Sequence, residues 1–199
     1  MTTYKTILEP SEAIIKEKGS KFISIAFHIE KEGDFKEKLK EIKEHYHDAR
    51  HYCYAYRVGI TSVTERLNDD GEPSGTAGLP ILRQIHSFGL TNIGIIVVRY
   101  FGGIKLGVSG LINAYKQAAL QSLSKAKIVE KELKDIYLIT FEYDIMGNVL
   151  VFLKKNKVEY FDIKMEEKCS IKIALPYSDK TFFEKIGNLK LNIKHLKIK

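Results

Sequence analysis

Three carboxylates, Asp69, Asp70 and Glu72, fall within four residues of the run Asn68-Asp69-Asp70-Gly71-Glu72-Pro73-Ser74-Gly75-Thr76-Ala77-Gly78-Leu79-Pro80. Carboxylates so clustered can hold magnesium or share acid–base work. The same residues also spell a turn: Asp-Gly and Glu-Pro are strong turn formers, and Asp70 can bond its own backbone. The turn is the favoured reading, with Gly75 supplying backbone freedom and Thr76 or Ser74 capping a helix that follows. Twenty-odd residues on stands a second glycine-rich block, Arg99-Tyr100-Phe101-Gly102-Gly103-Ile104-Lys105-Leu106-Gly107-Val108-Ser109-Gly110. A strand, a glycine turn and a helix start in succession collect exposed amides and a positive dipole end. The amides of Gly102, Gly103, Gly107 and Gly110, flanked by Arg99 and Lys105, form a candidate phosphate site. No Lys-Ser/Thr pair ends the block, so P-loop nucleotide hydrolysis is unsupported.

Further side chains are candidates for chemistry. Tyr52, Tyr54 and Tyr56 share one face of a strand, with Arg57 beside them. Exposed, they stack on single-stranded bases; buried, they are core, the commoner fate of an aromatic stripe. Arg66 and Arg83 are secondary candidates for anion contact. His45, His47, His51 and Cys53 are of zinc-ligand type, but no CxxC or HExxH spacing is present. The sequence therefore calls for no metal and no cofactor. Ser74 lacks a nucleophile-elbow context. An enzyme acting on a small phosphorylated or peptide substrate would need Asp69 and Glu72 as its acid–base groups, and stays open as an alternative.

These residues need elements to position them. Ile93–Val98 is a continuous apolar run, the mark of a strand buried on both faces. Lys21–Ile29 and His51–Val58 read as strands, with a shorter one near Thr64–Leu67. A helix begins at Asp34, its N-cap, and carries Phe35, Leu39, Ile42 and Tyr46 on one face. Helices also follow both glycine blocks, over Thr76–Ser87 and Ser109–Ser124. From Asp135 the order is β-α-β-β-α-β, with Asp144 and Ser178 as helix caps. The charged stretch Lys125–Lys134 is the junction. The expectation is an α+β protein of two domains, 1–133 and 134–199.

The chain has 199 residues, and its 32 Lys and Arg against 25 Asp and Glu give +7. In residues 134–199, thirteen lysines stand against nine acids. The tail from Lys190 to Lys199 alternates cationic and apolar residues, fitting either a lysine-protected edge strand or a basic face for RNA. No apolar stretch is long enough for a membrane span. Two distant cysteines and the absence of a signal-like N-terminus fit a reducing cytoplasm.

Residues 68–82 and 97–107, continuing through Gly110-Leu111 to Ala114-Tyr115, closely resemble the signature of the YigZ/IMPACT family. Lys18-Gly19-Ser20-Lys21-Phe22-Ile23 and Ala49–Arg57 match it more weakly, and Ser109 stands where many members have glycine. The resemblance implies an N-terminal α/β sandwich similar to domain four of elongation factor G, and a ferredoxin-like C-terminal domain similar to domain five. It further implies a non-enzymatic regulatory protein binding RNA, the ribosome or a translation factor. The eukaryotic relative regulates translation through a kinase activator, a partner that the bacterial-type C-terminal domain does not allow to be carried over. A protein–protein regulator without nucleic acid is the third reading.

Overall fold

The computed structural model describes residues 3–179, 181–186 and 189–198. The chain is mixed α and β and divides into two compact units, Tyr4–Lys131 and the residues from Glu132 onward, the second also taking in Thr3.

The first unit runs β1 (Thr3–Ile7), β2 (Ser11–Glu17), β3 (Ser20–His28), α1 (Glu32–His45), β4 (His51–Val58), β5 (Thr64–Asn68), α2 (Gly78–Ser87), β6 (Ile93–Tyr100), α3 (Gly107–Lys125) and β7 (Ile128–Glu132). Five strands form one sheet in the order β2-β3-β6-β4-β5, and β1 pairs separately with β7. Each neighbouring pair in the five-stranded sheet is antiparallel. Two apolar cores lie on its two faces. Ile95 and Val97 of β6 join Phe22, Cys53, Ile81, Leu111 and Tyr115 on the side of α2 and α3. Ile96 and Val98 join Ile23, Tyr52, Tyr56, Phe35 and Ile42 on the side of α1. A central strand covered twice must be apolar at every position, which is why β6 reads as an unbroken hydrophobic run.

α1 starts two residues before the expected Asp34. Asp34 occupies the third helical position, and its carboxylate reaches back to the amides of Glu30 at 2.8 Å and Lys31 at 3.1 Å. It still satisfies helix-start donors, from inside the helix rather than before it. Pro80 falls at the third residue of α2, where it breaks no helical hydrogen bond. The stretch read as a junction forms β7, since Ile128-Val129-Glu130-Lys131-Glu132 hides a strand under its charges.

The second unit runs β8 (Lys134–Phe141), a 3-10 turn over Tyr143–Ile145, α4 (Met146–Lys155), β9 (Glu159–Met165), β10 (Cys169–Pro176), α5 (Thr181–Lys185) and β11 (Asn192–Ile198). Its sheet has the order β11-β8-β10-β9, antiparallel throughout. Ile139, Phe141, Cys169, Ile171 and Ile173 of the sheet pack with Val149, Leu153, Phe182 and Ile186 of the two helices. Neither expected cap acts as one. Asp144 lies within the 3-10 turn. Asp179 rather than Ser178 binds the start of α5, accepting from the Thr181 amide at 2.9 Å, while the Ser178 amide donates to Asp135. Of the basic tail, Lys199 and the Lys197 side chain lie outside the described residues.

Candidate functional site

The two glycine blocks meet at the end of β6. Arg99, its last residue but one, is nearly sealed from water, and its Nη1 donates to Glu72 Oε1 at 2.5 Å. Their side chains are only 6% and 4% exposed. Tyr115 of α3 donates its hydroxyl to the same Glu72 oxygen at 2.8 Å, and the Cys53 thiol of β4 lies 3.2 Å from that hydroxyl. Burial pushes the Tyr115 phenol and the Cys53 thiol far above their ordinary values, so both stay protonated. The cluster therefore holds one anion and one cation, each neutralising the other, and two neutral hydroxyl or thiol groups.

Asp69 does the work expected of Ser74 or Thr76. One carboxylate oxygen accepts from the amides of Ala77 at 2.9 Å and Gly78 at 2.8 Å, and the other from Gly75 at 2.8 Å. The amides of Ala77 and Gly78 are orphan donors that open α2, and an anion there also meets the positive end of the helix. Thr76 instead donates its hydroxyl to the Pro73 carbonyl. Asp70 binds the Tyr52 amide at 2.6 Å, and its carbonyl accepts from His51 Nδ1 at 2.8 Å. The two carboxylates named for acid–base work, Asp69 and Glu72, are thus engaged by amides and by Arg99 with Tyr115. Among the described residues, no group of three or more His, Cys, Asp or Glu side chains could hold a metal ion.

The second block is held from below. Ser20 Oγ accepts from the Gly102 amide at 3.2 Å and lies 3.5 Å from Arg99 Nη2. Gly102 packs so closely on the neighbouring backbone that a Cβ there would stand 1.9 Å from the Gly19 carbonyl carbon. The Arg99 guanidinium lies over two aromatic rings, 5.4 Å from the centroid of buried Phe22 and 5.6 Å from that of Phe101. Beyond this base the chain turns outward: Phe101, Ile104 and Val108 are 48%, 58% and 59% exposed, with Lys105 exposed among them. α3 begins with no side-chain cap and no acid in its first turn.

The sequence candidates therefore separate. Lys105 and the amides of Gly102, Gly103, Gly107 and Gly110 stand at the surface or close to it, whereas Arg99 lies beneath them, paired with Glu72. Arg66 and Arg83 are exposed on β5 and α2. The tyrosine face is core: Tyr52 and Tyr56 are buried, and Phe35 of α1 lies 4.8 Å from Tyr54 and 4.6 Å from Tyr56 between ring centroids. Rings packed on a helix offer no face to a base. Arg57 points to the opposite face, paired with Glu65 at 3.2 Å. Sequence reasoning missed Tyr115 and Ser20 as parts of the cluster. The available signal was Tyr115 standing alone among the small buried residues Ala114, Ala118 and Ala119 of α3.

Residues 18–123, which contain every member of this cluster, match the family model of the Impact N-terminal domain. Over 165 residues the chain is 34% identical to the IMPACT family member YvyE of Bacillus subtilis (strain 168), covering 83% of this chain and 76% of the relative. Over 169 residues it is 31% identical to the IMPACT family member YigZ of Escherichia coli (strain K12), covering 84% and 83%. A crystal structure of a hypothetical protein superposes with a TM-score of 0.79 at 27% identity, covering 99% of this chain and 98% of that one. With its glycine blocks inside the matched span and most of both chains aligned, this protein belongs to the IMPACT family.

Proposed function

We propose that this chain is a binding protein of translation that docks on RNA or the ribosome through the loop from Phe101 to Gly110. In this reading the first unit is an α/β sandwich akin to domain four of elongation factor G. The second unit, with its β-α-β-β-α-β order, is ferredoxin-like. The carrying observation is one of charge. Between Glu72 and Glu130 the sequence contains no acid, while Arg83, Arg99, Lys105, Lys116, Lys125 and Lys127 all fall there. That stretch forms α2, β6 and α3. Its one deeply buried cation, Arg99, is neutralised by Glu72, so the exposed cations of α2 and α3 meet no acid of their own elements, Glu65 of β5 standing beside His86. The uncapped amides at the start of α3 add partial positive charge beside Lys105.

Arg99 has a positioning role in this reading: it ties the loop to the first block and does not touch the ligand. The test is co-sedimentation of the full chain with ribosomes and with ribosome-free RNA at low and moderate salt. Binding that weakens as salt rises, and that Lys105→Glu reduces further, supports the proposal. Binding indifferent to both would overturn it. Capture of a protein that survives nuclease treatment would favour a protein–protein regulator instead.

A further inference from the structure

The sheet of the second unit has a face that its own helices leave uncovered. Pairing register sets the residues of this face in rows across all four strands. One row is Lys194-Leu138-Lys172-Phe161 and the next is Asn192-Thr140-Ser170-Lys164. Each row spans about 14 Å, and the rows lie about 7 Å apart. Both ends of the β9 pairing appear here because the strand carries a bulge. Phe161 pairs with Lys172 and Lys164 with Ser170, so residues three apart in β9 share a face. In a regular strand they would point to opposite faces. Asp162, in the bulge, takes a φ of +54°. Bulges commonly re-aim side chains at working surfaces.

The resulting face is mixed in a telling way. Phe161 is 41% exposed at one edge, Lys164 and Lys194 are exposed, and Asn192, Thr140 and Ser170 supply an amide and two hydroxyls between them. Of the nearby acids, Glu159 is paired with Lys134, Asp162 with Lys172 and Glu142 with Lys168, while Glu166 stands exposed two residues beyond Lys164. The face is open over these two rows, whereas Ile136 and Ala174 in the next row are buried. An aromatic ring flanked by cations and short polar groups on the open part of a four-stranded sheet is the arrangement that stacks a base and holds the backbone beside it. We propose that this face binds single-stranded RNA, with Phe161 stacking on a base and Lys164 and Lys194 contacting phosphates. The site is independent of the loop of the first unit.

The experiment is fluorescence anisotropy of a labelled mixed-sequence single-stranded RNA, about 12 nucleotides long, titrated with the full chain at about 50 and 200 mM salt. Lys164→Glu/Lys194→Glu should weaken binding at least about tenfold at the lower salt. Phe161→Ala should weaken it at least about fivefold, with Phe161→Tyr restoring it because a phenol ring still stacks. Thermal midpoints of the variants within a few degrees of the parent show that the fold is kept. No binding by the parent chain, or equal binding by parent and both sheet variants, overturns the proposal. Loss of affinity in Lys105→Glu alone also overturns it while leaving the loop reading intact. A protein ligand lost in the sheet variants, with no RNA affinity in the parent, overturns it too.

Discussion

Glu72 and Arg99, 27 residues apart in sequence, meet at 2.5 Å with both side chains withdrawn from water. Each charge is tolerable there only because of the other. A buried ion of either sign left alone carries a desolvation penalty of several kcal/mol.

Glu72→Ala should accordingly destabilise the chain by about 3–5 kcal/mol, because it leaves the Arg99 guanidinium buried and unmatched. The double variant Glu72→Ala/Arg99→Met removes both charges and should be markedly more stable than Glu72→Ala. Urea unfolding of the three proteins decides this. A double variant no more stable than the single one would mean that the pair is not electrostatically coupled.

Asp69→Ala should cost about 2 kcal/mol, since two amides at the head of α2 and that of Gly75 just before it lose their acceptor together. Hydrogen exchange should then rise first at Gly75, Ala77 and Gly78. Protection unchanged at those amides would show that water replaces the carboxylate without loss.

Two adjacent glycines should respond differently to alanine. Gly102→Ala must move the Gly19–Ser20 backbone and should cost about 3 kcal/mol. Gly103 has a φ of +88° but nothing within 4 Å of an added Cβ, so Gly103→Ala meets conformational strain alone and should cost about 1 kcal/mol. Equal thermal shifts for the two would contradict the close approach at Gly102.

His28 gives the first unit a pH dependence. Burial, chiefly, lowers its pKa in the fold, with Lys131 adding to the effect. The unfolded chain then binds more protons below its ordinary pKa of 6.5, so stability present above that pH falls as pH drops through and below it. Denaturant midpoints measured between pH 7 and pH 5 should fall less steeply in His28→Gln than in the parent. Parallel slopes would assign the pH dependence to other groups.

Much of the layout was legible because period and burial coincide. The unbroken run in β6 announced a strand covered on both faces, and the spacing of Phe35, Leu39 and Ile42 announced the inner side of α1. β1, β2 and β7 were not legible. β7 is short and charged, and its pairing with β1 joins segments more than a hundred residues apart, which no local pattern encodes. The glycine blocks were legible as a meeting place, but the roles within them were not. Arg99 and Lys105 are equivalent as cations in the sequence, and only the position of Arg99 inside β6, opposite Glu72, turns one into an internal tie and leaves the other at the surface. The tyrosines of β4 were open to either fate until α1 was seen to lie over them.

The turn from Asn68 to Glu72 looks from outside like any surface loop, with Gly71 exposed at its tip. Yet its residues hold the head of α2 through Asp69, the start of β4 through Asp70, and the end of β6 and the middle of α3 through Glu72. Surface loops are ordinarily where a chain accepts inserted tags, new termini or a protease nick. This one is a keystone, and grafting even a short peptide at Gly71 should unseat four elements at once, while the same graft at Thr61, beyond the bonds that tie Gly59 to Thr91 and Asn92, leaves these ties in place.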